Sequence, residues 1–388
     1  MVHLVAIQEE TELIRKSIRA LCQKFPEDYW KKIDEKNEYP EEFIKALTEE
    51  GWLSVLIPEE YGGAGLGMAE ASIILEEINR SGGNAAAGHA QMYTMGALLN
   101  HGSEEQKQRY LPKIATGELR LQAFGVTEPT AGSDTTNIIT TAVRQGDKYV
   151  VNGQKIWISR TQYSDLMLLL ARTTPRDKVS KKTDGLSLFI LDMNDQKENI
   201  TIRPIDTMVN HATTEVFLSN VEIPVENLIG EEGKGFRYVL SGMNAERILV
   251  ASESIGDGYY FIDKAVQYAN ERVVFDRPIG QNQGVQFPIA QAYIDVEGAK
   301  LMRDKAAAMF DAHQKCGAEA NMSKYMASEA SWKAANAAMD TYGGYGFATE
   351  YHIERKFREA RLFKIAPISN NLVVSFVAQH VLGLPRSF

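Results

Sequence analysis

Val239, Met243, Glu246 and Val250 fall at i, i+4, i+7 and i+11, the spacing of one helix face. Three of them are apolar and one is a carboxylate. A carboxylate on an apolar stripe is costly unless it is paired or has chemistry to perform. Burial would raise its pKa toward neutrality, which suits a general base. Glu246 is therefore a candidate base; the competing reading is a salt bridge within the helix or across a bundle, with Arg247 as the adjacent cation. A second stretch, Gln122-Ala-Phe-Gly-Val-Thr-Glu-Pro-Thr-Ala-Gly-Ser-Asp134, starts as a short apolar strand and breaks at Thr127-Glu128-Pro129. It continues through Ala131, Gly132 and Ser133, small residues that let a backbone come close to a ligand. A third, Tyr149-Val-Val-Asn-Gly-Gln-Lys-Ile-Trp-Ile-Ser159, reads as two strand-like runs joined by a hairpin turn at Asn152-Gly153. Gly230-Glu-Glu-Gly-Lys-Gly235 reads as a turn into a helix, because Glu231 and Glu232 would repel a cradled phosphate.

The elements that must position these residues follow from periodicity. Residues 1–120 read as helices, with apolar stripes at Ile14, Ile18, Leu21 and Cys22 and at Phe43, Leu47 and Trp52. Gly62-Gly63-Ala64-Gly65 interrupts them, and Ser103 before Glu104, Glu105 and Gln106 marks a helix N-cap. Strands are expected at Leu166–Leu170, Leu186–Leu191, Ile200–Ile205 and Thr214–Ile223, with a solvated loop over 173–185. Helices resume from Phe236 to about Val274, then at about 284–313, 317–342 and 369–382. The expected class is α+β: an N-terminal helical domain (1–120), a middle antiparallel β domain (121–235) and a C-terminal four-helix bundle (236–388).

The chain has 388 residues, enough for two or three structural units. Its net charge of −9 argues against nucleic acid, which rewards basic patches. The two cysteines, Cys22 and Cys316, lack metal-type spacing and read as free thiols of a reducing compartment. The acidic N-terminus, with Glu9, Glu10 and Glu12, has no secretory pattern, and the longest apolar run, Leu166 to Ala171, is too short to span a bilayer. The expectation is a cytoplasmic protein that binds neither nucleic acid nor membrane.

Phe-x-Val-Thr-Glu-Pro-x-Ala-Gly-Ser-Asp followed by Gly-x-Lys-x-Trp-Ile-Ser resembles the flavin-binding middle domain of the acyl-CoA dehydrogenase family. The resemblance implies FAD as cofactor. It sets Thr127, Trp157 and Ser159 against the isoalloxazine, with main-chain groups near Phe124 and Val126 completing that wall and Ser133 touching the pantetheine arm of the substrate. Ser159 stands where the family more often has threonine, and Arg160-Thr161 replaces asparagine-glycine. Glu271-Arg-Val-Val-Phe-Asp-Arg-Pro-Ile-Gly-Gln-Asn-Gln283 is similar to a second flavin motif, in which Arg272 meets the pyrophosphate and Phe275 and Gln283 approach the adenosine; Asp276 replaces a glycine. Gly343 and Gly344 match the turn at which the backbone approaches a neighbouring subunit's flavin, although Asp340 replaces the usual glutamine before it. Ser369 and Asn371 complete the implied cofactor set. A site completed across subunits implies a homotetramer, or at least a dimer.

Most members of that family carry the catalytic glutamate in a tyrosine-glutamate-glycine-threonine stretch, which here reads Ala366, Pro367, Ile368 and Ser369. Proline neither takes a proton nor donates an N–H. That N–H position would help hold the thioester oxygen, a contribution of roughly 2.7–4 kcal/mol in analogous sites. Met243-Asn-Ala-Glu-Arg-Ile-Leu-Val250 is similar instead to the segment where isovaleryl-CoA and long-chain acyl-CoA dehydrogenases carry their base, which implies Glu246 as the base, with Met243, Asn244 and Arg247 at the substrate. The N-terminal helices would wall the acyl pocket, with His89 and Gln91 to Met95 near the substrate tail. The implied function is FAD-dependent α,β-dehydrogenation of an acyl-CoA to a trans-2-enoyl-CoA, with electrons passed to an electron-transfer flavoprotein. The alternatives are an enoyl-CoA reductase resembling crotonobetainyl-CoA reductases, a more distant flavin-dependent oxidase or desulfinase, and a non-catalytic flavin- or CoA-binding homologue.

Overall fold

The computed structural model describes residues 2–386, with side chains from residue 11 onward. Among these residues the chain opens with α1 (Val2–Cys22), α2 (Glu27–Glu35), α3 (Glu41–Glu49), α4 (Met68–Arg80), α5 (Ala86–His101) and α6 (Glu104–Ala115). Strands β1 (Leu121–Gly125), β2 (Thr141–Gln145), β3 (Lys148–Ser159), β4 (Leu166–Arg172), β5 (Leu186–Asp192), β6 (Ile200–Pro204), β7 (Thr213–Pro224) and β8 (Leu228–Ile229) follow. The C-terminal part consists of α7 (Gly235–Glu271), a small hairpin of β9 (Val273–Val274) and β10 (Arg277–Pro278), and then α8 (Gln283–Asp311), α9 (Gly317–Tyr342), α10 (Ile353–Leu362) and α11 (Asn370–Phe376). This is the α+β order expected: helices, a β region, helices. No described helix is long and apolar enough to cross a membrane.

The chain forms two compact units, one comprising Asn37–Leu66 with Ala86–Met243, the other the described residues within Met1–Lys36, Gly67–Ala85 and Asn244–Phe388. The first holds the sheet, in the order β6-β7-β3-β2-β4-β5-β8, with β1 beside β4. Its ladders are antiparallel except β1 with β4 and the single β2–β4 pair, because the chain leaves β1 and returns only after the β2–β3 hairpin. Every residue of β4 is buried, as suits a strand covered on both faces. Leu166, Leu168 and Leu170 pack with Met95, Leu98, Leu111 and Ile114 of α5 and α6. Met167, Leu169 and Ala171 pack with Tyr149, Val151, Val216 and Leu218 of β3 and β7. The Ser103 cap is as expected: its hydroxyl accepts from Gln106 N and the Gln106 side chain accepts from Ser103 N.

One expectation is corrected here. Asn152-Gly153 is not a turn, since β3 runs unbroken from Lys148 to Ser159 and the hairpin turn lies at Gly146-Asp147 between β2 and β3. The ladder with β7 shifts register there instead, because two steps on β3 from Val151 to Gly153 face three on β7 from Val221 to Leu218. The extra β7 residue is accommodated with Asn220 in the left-handed region, φ 56°. Asn152 serves as its clasp: its Oδ1 accepts from Asn220 N at 2.8 Å and its Nδ2 donates to Asn220 Oδ1 at 3.2 Å. Glycine is required next to it, because a Cβ at Gly153 would lie 2.3 Å from Thr140 Oγ1.

In the second unit, small residues let three long helices approach closely. Ala251, Ile255 and Ala265 of α7 pack with Ala292, Val296 and Ala299 of α8 and Ala327, Ala330, Ala334 and Ala338 of α9, and Ile353 and Ala360 of α10 close the cluster. This is the expected C-terminal helical bundle. Its buried charges are answered: Arg303 of α8 donates to Glu76 of α4 at 2.6 Å and to Ser252 Oγ at 2.9 Å. Asp311, at the end of α8, accepts from Met68 N at 2.6 Å and Ala69 N at 3.0 Å, capping α4 where Gly67 has no side chain to offer. Cys22 and Cys316 are free and buried.

Two further boundaries differ from the periodicity reading. The helix expected to reach Val274 stops at Glu271, and Val273 and Val274 pair with Pro278 and Arg277. Between them Phe275 (φ 53°) and Asp276 (φ 63°) form a tight turn, left-handed at both central positions. A glycine is the least strained residue there, and aspartate is among the few others tolerated. The helix α10 appears where none was assigned, and the one expected over 369–382 is α11 followed by a π-type turn, Val377–Val381. Asp276→Gly should raise the thermal midpoint, by the equivalent of about 0.5–1 kcal/mol, and Asp276→Val should lower it. The reverse ranking would show that this backbone carries no strain.

Candidate active site

In the sheet unit, the two motif stretches meet through a buried ion pair. Lys155 Nζ donates to Glu128 Oε1 at 2.8 Å and to Val126 O at 3.1 Å, and both side chains are almost wholly shielded from solvent. Glu128 also accepts from Ile139 N at 2.7 Å and Thr140 N at 3.0 Å. Burial pushes the Lys155 ammonium down to about 8 against the pull of Glu128. Burial alone would push Glu128 up, but Lys155 and the N–H donors outweigh it and hold the carboxyl below its usual range. Ile156 N donates to Thr127 O at 3.0 Å, so Thr127 and the residues around Trp157 are held side by side.

Trp157 is the extra residue of a second bulge, this time on β3: Ile156 pairs with Glu215 and Ile158 with Thr214. Its φ of 61° turns the indole out of the sheet, leaving it 57% exposed between buried Lys155 and Ile158. Ser159 Oγ accepts from Asn210 Nδ2 at 2.8 Å, and Arg160 donates from its guanidinium to Asn210 Oδ1 at 3.2 Å. Arg160 itself is left-handed, φ 63°, which explains why asparagine suits the position, and the Thr161 hydroxyl is buried against Thr214 at 2.9 Å. Phe124 is half-buried and meets Tyr93 of α5 edge to face at 5.5 Å, and Tyr93 in turn meets His89 at 5.1 Å. Val126 is buried, Ser133 is exposed on the loop after Gly132, and Met243 is half-buried against the helix-facing side of the sheet.

The helical unit carries the remaining candidates. Glu246 is 4% exposed, on the same α7 face as buried Val250. Its neighbour Arg247 donates to Asn244 Oδ1 at 3.2 Å, and burial pushes the guanidinium below its usual value while Glu246 opposes that shift. At the far end of α7, the exposed Arg272 guanidinium lies 5.7 Å from the centre of the Tyr345 ring. Tyr345 belongs to the turn begun by Gly343 and Gly344, so two motifs distant in sequence come together here. Gly343 has φ 58° and ψ −131°, a glycine-only conformation, and a Cβ at either glycine would meet nothing within 4 Å. Phe275 stands 93% exposed at the hairpin tip, and Gln283 is exposed at the start of α8. The Ser369 hydroxyl accepts from Leu372 N as the cap of α11, beside exposed Asn371 and buried Asn370.

Glu128 and Lys155 stand within the two motifs, but the motifs by themselves assign them no role. The available signal was alternation: Tyr149, Val151 and Lys155 lie an even number of residues apart on one strand, which places a lysine on the core side. Lys324 of α9, fully buried, was missed altogether, although it falls between Ala320 and Ala327 on an apolar face. Lys155→Met should cost about 3–5 kcal/mol by leaving Glu128 without its cation. Because the Glu128 pKa is lowered in the folded chain, the stability it contributes is present above its unfolded value of roughly 4.3 and is lost as pH falls through its folded one. Thermal midpoints of wild type and Lys155→Met should therefore converge in acid; a constant gap from pH 3 to 7 would contradict the assignment.

Three profiles of one family cover the chain: "Acyl-CoA dehydrogenase, N-terminal domain" over residues 8–118, "middle domain" over 123–221 and "C-terminal domain" over 233–382. The chain is 37% identical to acyl-CoA dehydrogenase fadE12 of Mycobacterium bovis, over 98% of each sequence. It is 34% identical to subunit CarC of the caffeyl-CoA reductase-Etf complex of Acetobacterium woodii, over 92% of this chain and 94% of that one. The structure of a glutaryl-coenzyme A dehydrogenase in complex with glutaryl-CoA superposes with a TM-score of 0.90 at 34% identity, over 97% of this chain and 96% of that one. With all three profiles in order and relatives matched along nearly their whole length, this chain belongs to the acyl-CoA dehydrogenase family.

Proposed function

We propose that the chain is an FAD-dependent acyl-CoA dehydrogenase that converts an acyl-CoA thioester to a trans-2-enoyl-CoA, with Glu246 as the base. The observation that carries the reading is the burial of Glu246 on an apolar helix face, where a carboxylate is retained for work rather than solubility. The residues present fit the cofactor. An indole held out of its sheet by a bulge, the Ser159 hydroxyl, the open approach at Gly343 and Gly344, and an exposed Arg272 fork suit a flat aromatic ring bearing a diphosphate.

Bound FAD would supply the acceptor for the hydride that leaves the substrate β-carbon. In this reading Phe124, Val126, Thr127, Trp157 and Ser159 hold its ring system, Arg272, Phe275 and Gln283 its pyrophosphate and adenosine, and Gly343, Gly344, Ser369 and Asn371 complete the site. Ser133, Met243, Asn244 and Arg247 position the thioester. Glu246 removes the α-proton as the hydride departs, and shielding from water keeps that proton on the carboxyl group. Because Pro367 has no N–H, the thioester oxygen takes its main-chain donor from another residue, Ile368 being the adjacent one. Electrons pass to an electron-transfer flavoprotein, a partner class supported by the name of the A. woodii relative. A homotetramer is part of the reading, supported by the apolar surface left open at Val273, Val274 and Phe275. So are a cytoplasmic setting and domain boundaries at 1–120, 121–235 and 236–388.

The protein should purify yellow, with about one FAD per chain. Glu246→Gln should still bind FAD and acyl-CoA, while anaerobic bleaching of the flavin by acyl-CoA slows at least ~100-fold. A purely structural Glu246 would instead lower thermal stability and leave the bleaching rate within a few-fold of wild type. Adding Pro367→Glu to Glu246→Gln should restore reduction, since it places a carboxylate and an N–H where most of the family has them. A panel of acyl-CoA and enoyl-CoA thioesters reads direction as well as chain type, because relatives include a reductase. Flavin oxidation by enoyl-CoA without reduction by any acyl-CoA would favour that reverse role.

A further inference from the structure

Lys324 is 0% exposed in the middle of α9, yet nothing in the proposed reaction calls on it. Its Nζ donates to Ile368 O and to Asn370 Oδ1, both at 2.7 Å. Asn370 is held in turn: its Oδ1 accepts from Ser328 Oγ at 3.2 Å and its Nδ2 donates to Glu329 Oε1 at 2.8 Å, while Lys364 Nζ donates to Glu329 Oε2 at 2.8 Å. The segment gripped in this way is the connection from α10 to α11, which carries Pro367 and Ser369, together with the first residue of α11.

We infer that Lys324 is a positioning residue for the proposed reaction: its buried ammonium ties the Pro367–Asn370 turn to α9 and sets a positive charge within electrostatic reach of Glu246. The inference rests on the reading of Glu246 as base. Pro367 cannot donate an N–H, and the turn's local backbone bond, from Asn370 N to Lys364 O at 3.1 Å, is supplemented by the grip on Ile368 O from another helix. The charge is finely balanced. Burial pushes the Lys324 ammonium down to about 7, with Arg247 and Lys364 acting in the same direction and Glu329 and Glu246 opposing it. Coupling between two titrating groups is reciprocal, so if ionised Glu246 favours the Lys324 cation, the cation disfavours protonation of Glu246. On the acid side of neutrality, where Lys324 is charged, it keeps the base ready to accept a proton.

Two variants separate the grip from the charge. Lys324→Gln keeps an amide donor for Ile368 O and removes the charge; Lys324→Met removes both. Amide hydrogen exchange over residues 364–376, measured with and without FAD, should rise about tenfold in Lys324→Met and much less in Lys324→Gln. In Lys324→Gln, which retains FAD, the acid limb of the rate of flavin reduction by acyl-CoA should move up by about one pH unit. Exchange unchanged in Lys324→Met, or an acid limb unmoved in Lys324→Gln, would overturn the inference. Should Lys324→Met fail to fold, Lys324→Gln carries the decision through its pH profile. If Glu246→Gln bleaches at the wild-type rate, the base assignment fails by itself, and the exchange measurement, which needs no turnover, still decides the grip.

Discussion

The ion pair between Lys155 and Glu128 is the constraint on which the sheet half of the site depends. A strand and a loop that leave each other for some 25 residues are brought back together by this buried pair and by the Ile156 N to Thr127 O bond beside it, with Val126 O and the N–H groups of Ile139 and Thr140 completing the coordination. Such a pair contributes little net stability, because desolvation consumes most of the attraction. Its value is positional. Sliding the loop bearing Thr127 along the strand bearing Trp157 would pull Lys155 away from a carboxylate 2.8 Å distant and leave its ammonium buried, so the alternatives are expensive.

The helical unit solves the opposite problem. Alanine-rich faces on α8 and α9 bring backbones close, which leaves room for few large side chains and little shape specificity. Buried charges supply that specificity. Arg303 on Glu76 and Lys324 on Ile368 and Asn370 each join segments that apolar packing alone would let slide.

The order of elements was legible because periodicity and caps are local. The Ser103 capping box, the apolar run of β5, the alternation of β7 and the stripe bearing Glu246 depend only on near neighbours in sequence. What was not legible depends on distant residues. Asn152-Gly153 carries the local chemistry of a turn, and only Thr140 and Asn220 decide that it is a straight strand beside a bulge. Val273 and Val274 continue a helical pattern, but the double left-handed turn at Phe275-Asp276 folds them back as a strand. Lys155 and Lys324 lie on faces that the sequence pattern turns inward, but the groups that answer them, the carboxylate of Glu128 and the carbonyl of Ile368, come from distant segments. The pairing of Arg272 with the Gly343 turn through Tyr345 links residues more than seventy positions apart and leaves no local trace.

The two irregularities in the β3–β7 ladder have opposite sign. One inserts a residue on β7 beside Asn220 and the other inserts one on β3 at Trp157, so the pairing that holds at Val151 with Val221 is restored at Ile158 with Thr214. Between them the strands run one step out of phase, and beyond them the ladder behaves as if neither existed. A lineage that lost the insertion on one strand would misalign the rest of the ladder and reverse which side chains face the core. It could recover only by losing the other as well. The two insertions, more than sixty positions apart in the chain, therefore depend on each other to keep the ladder in phase.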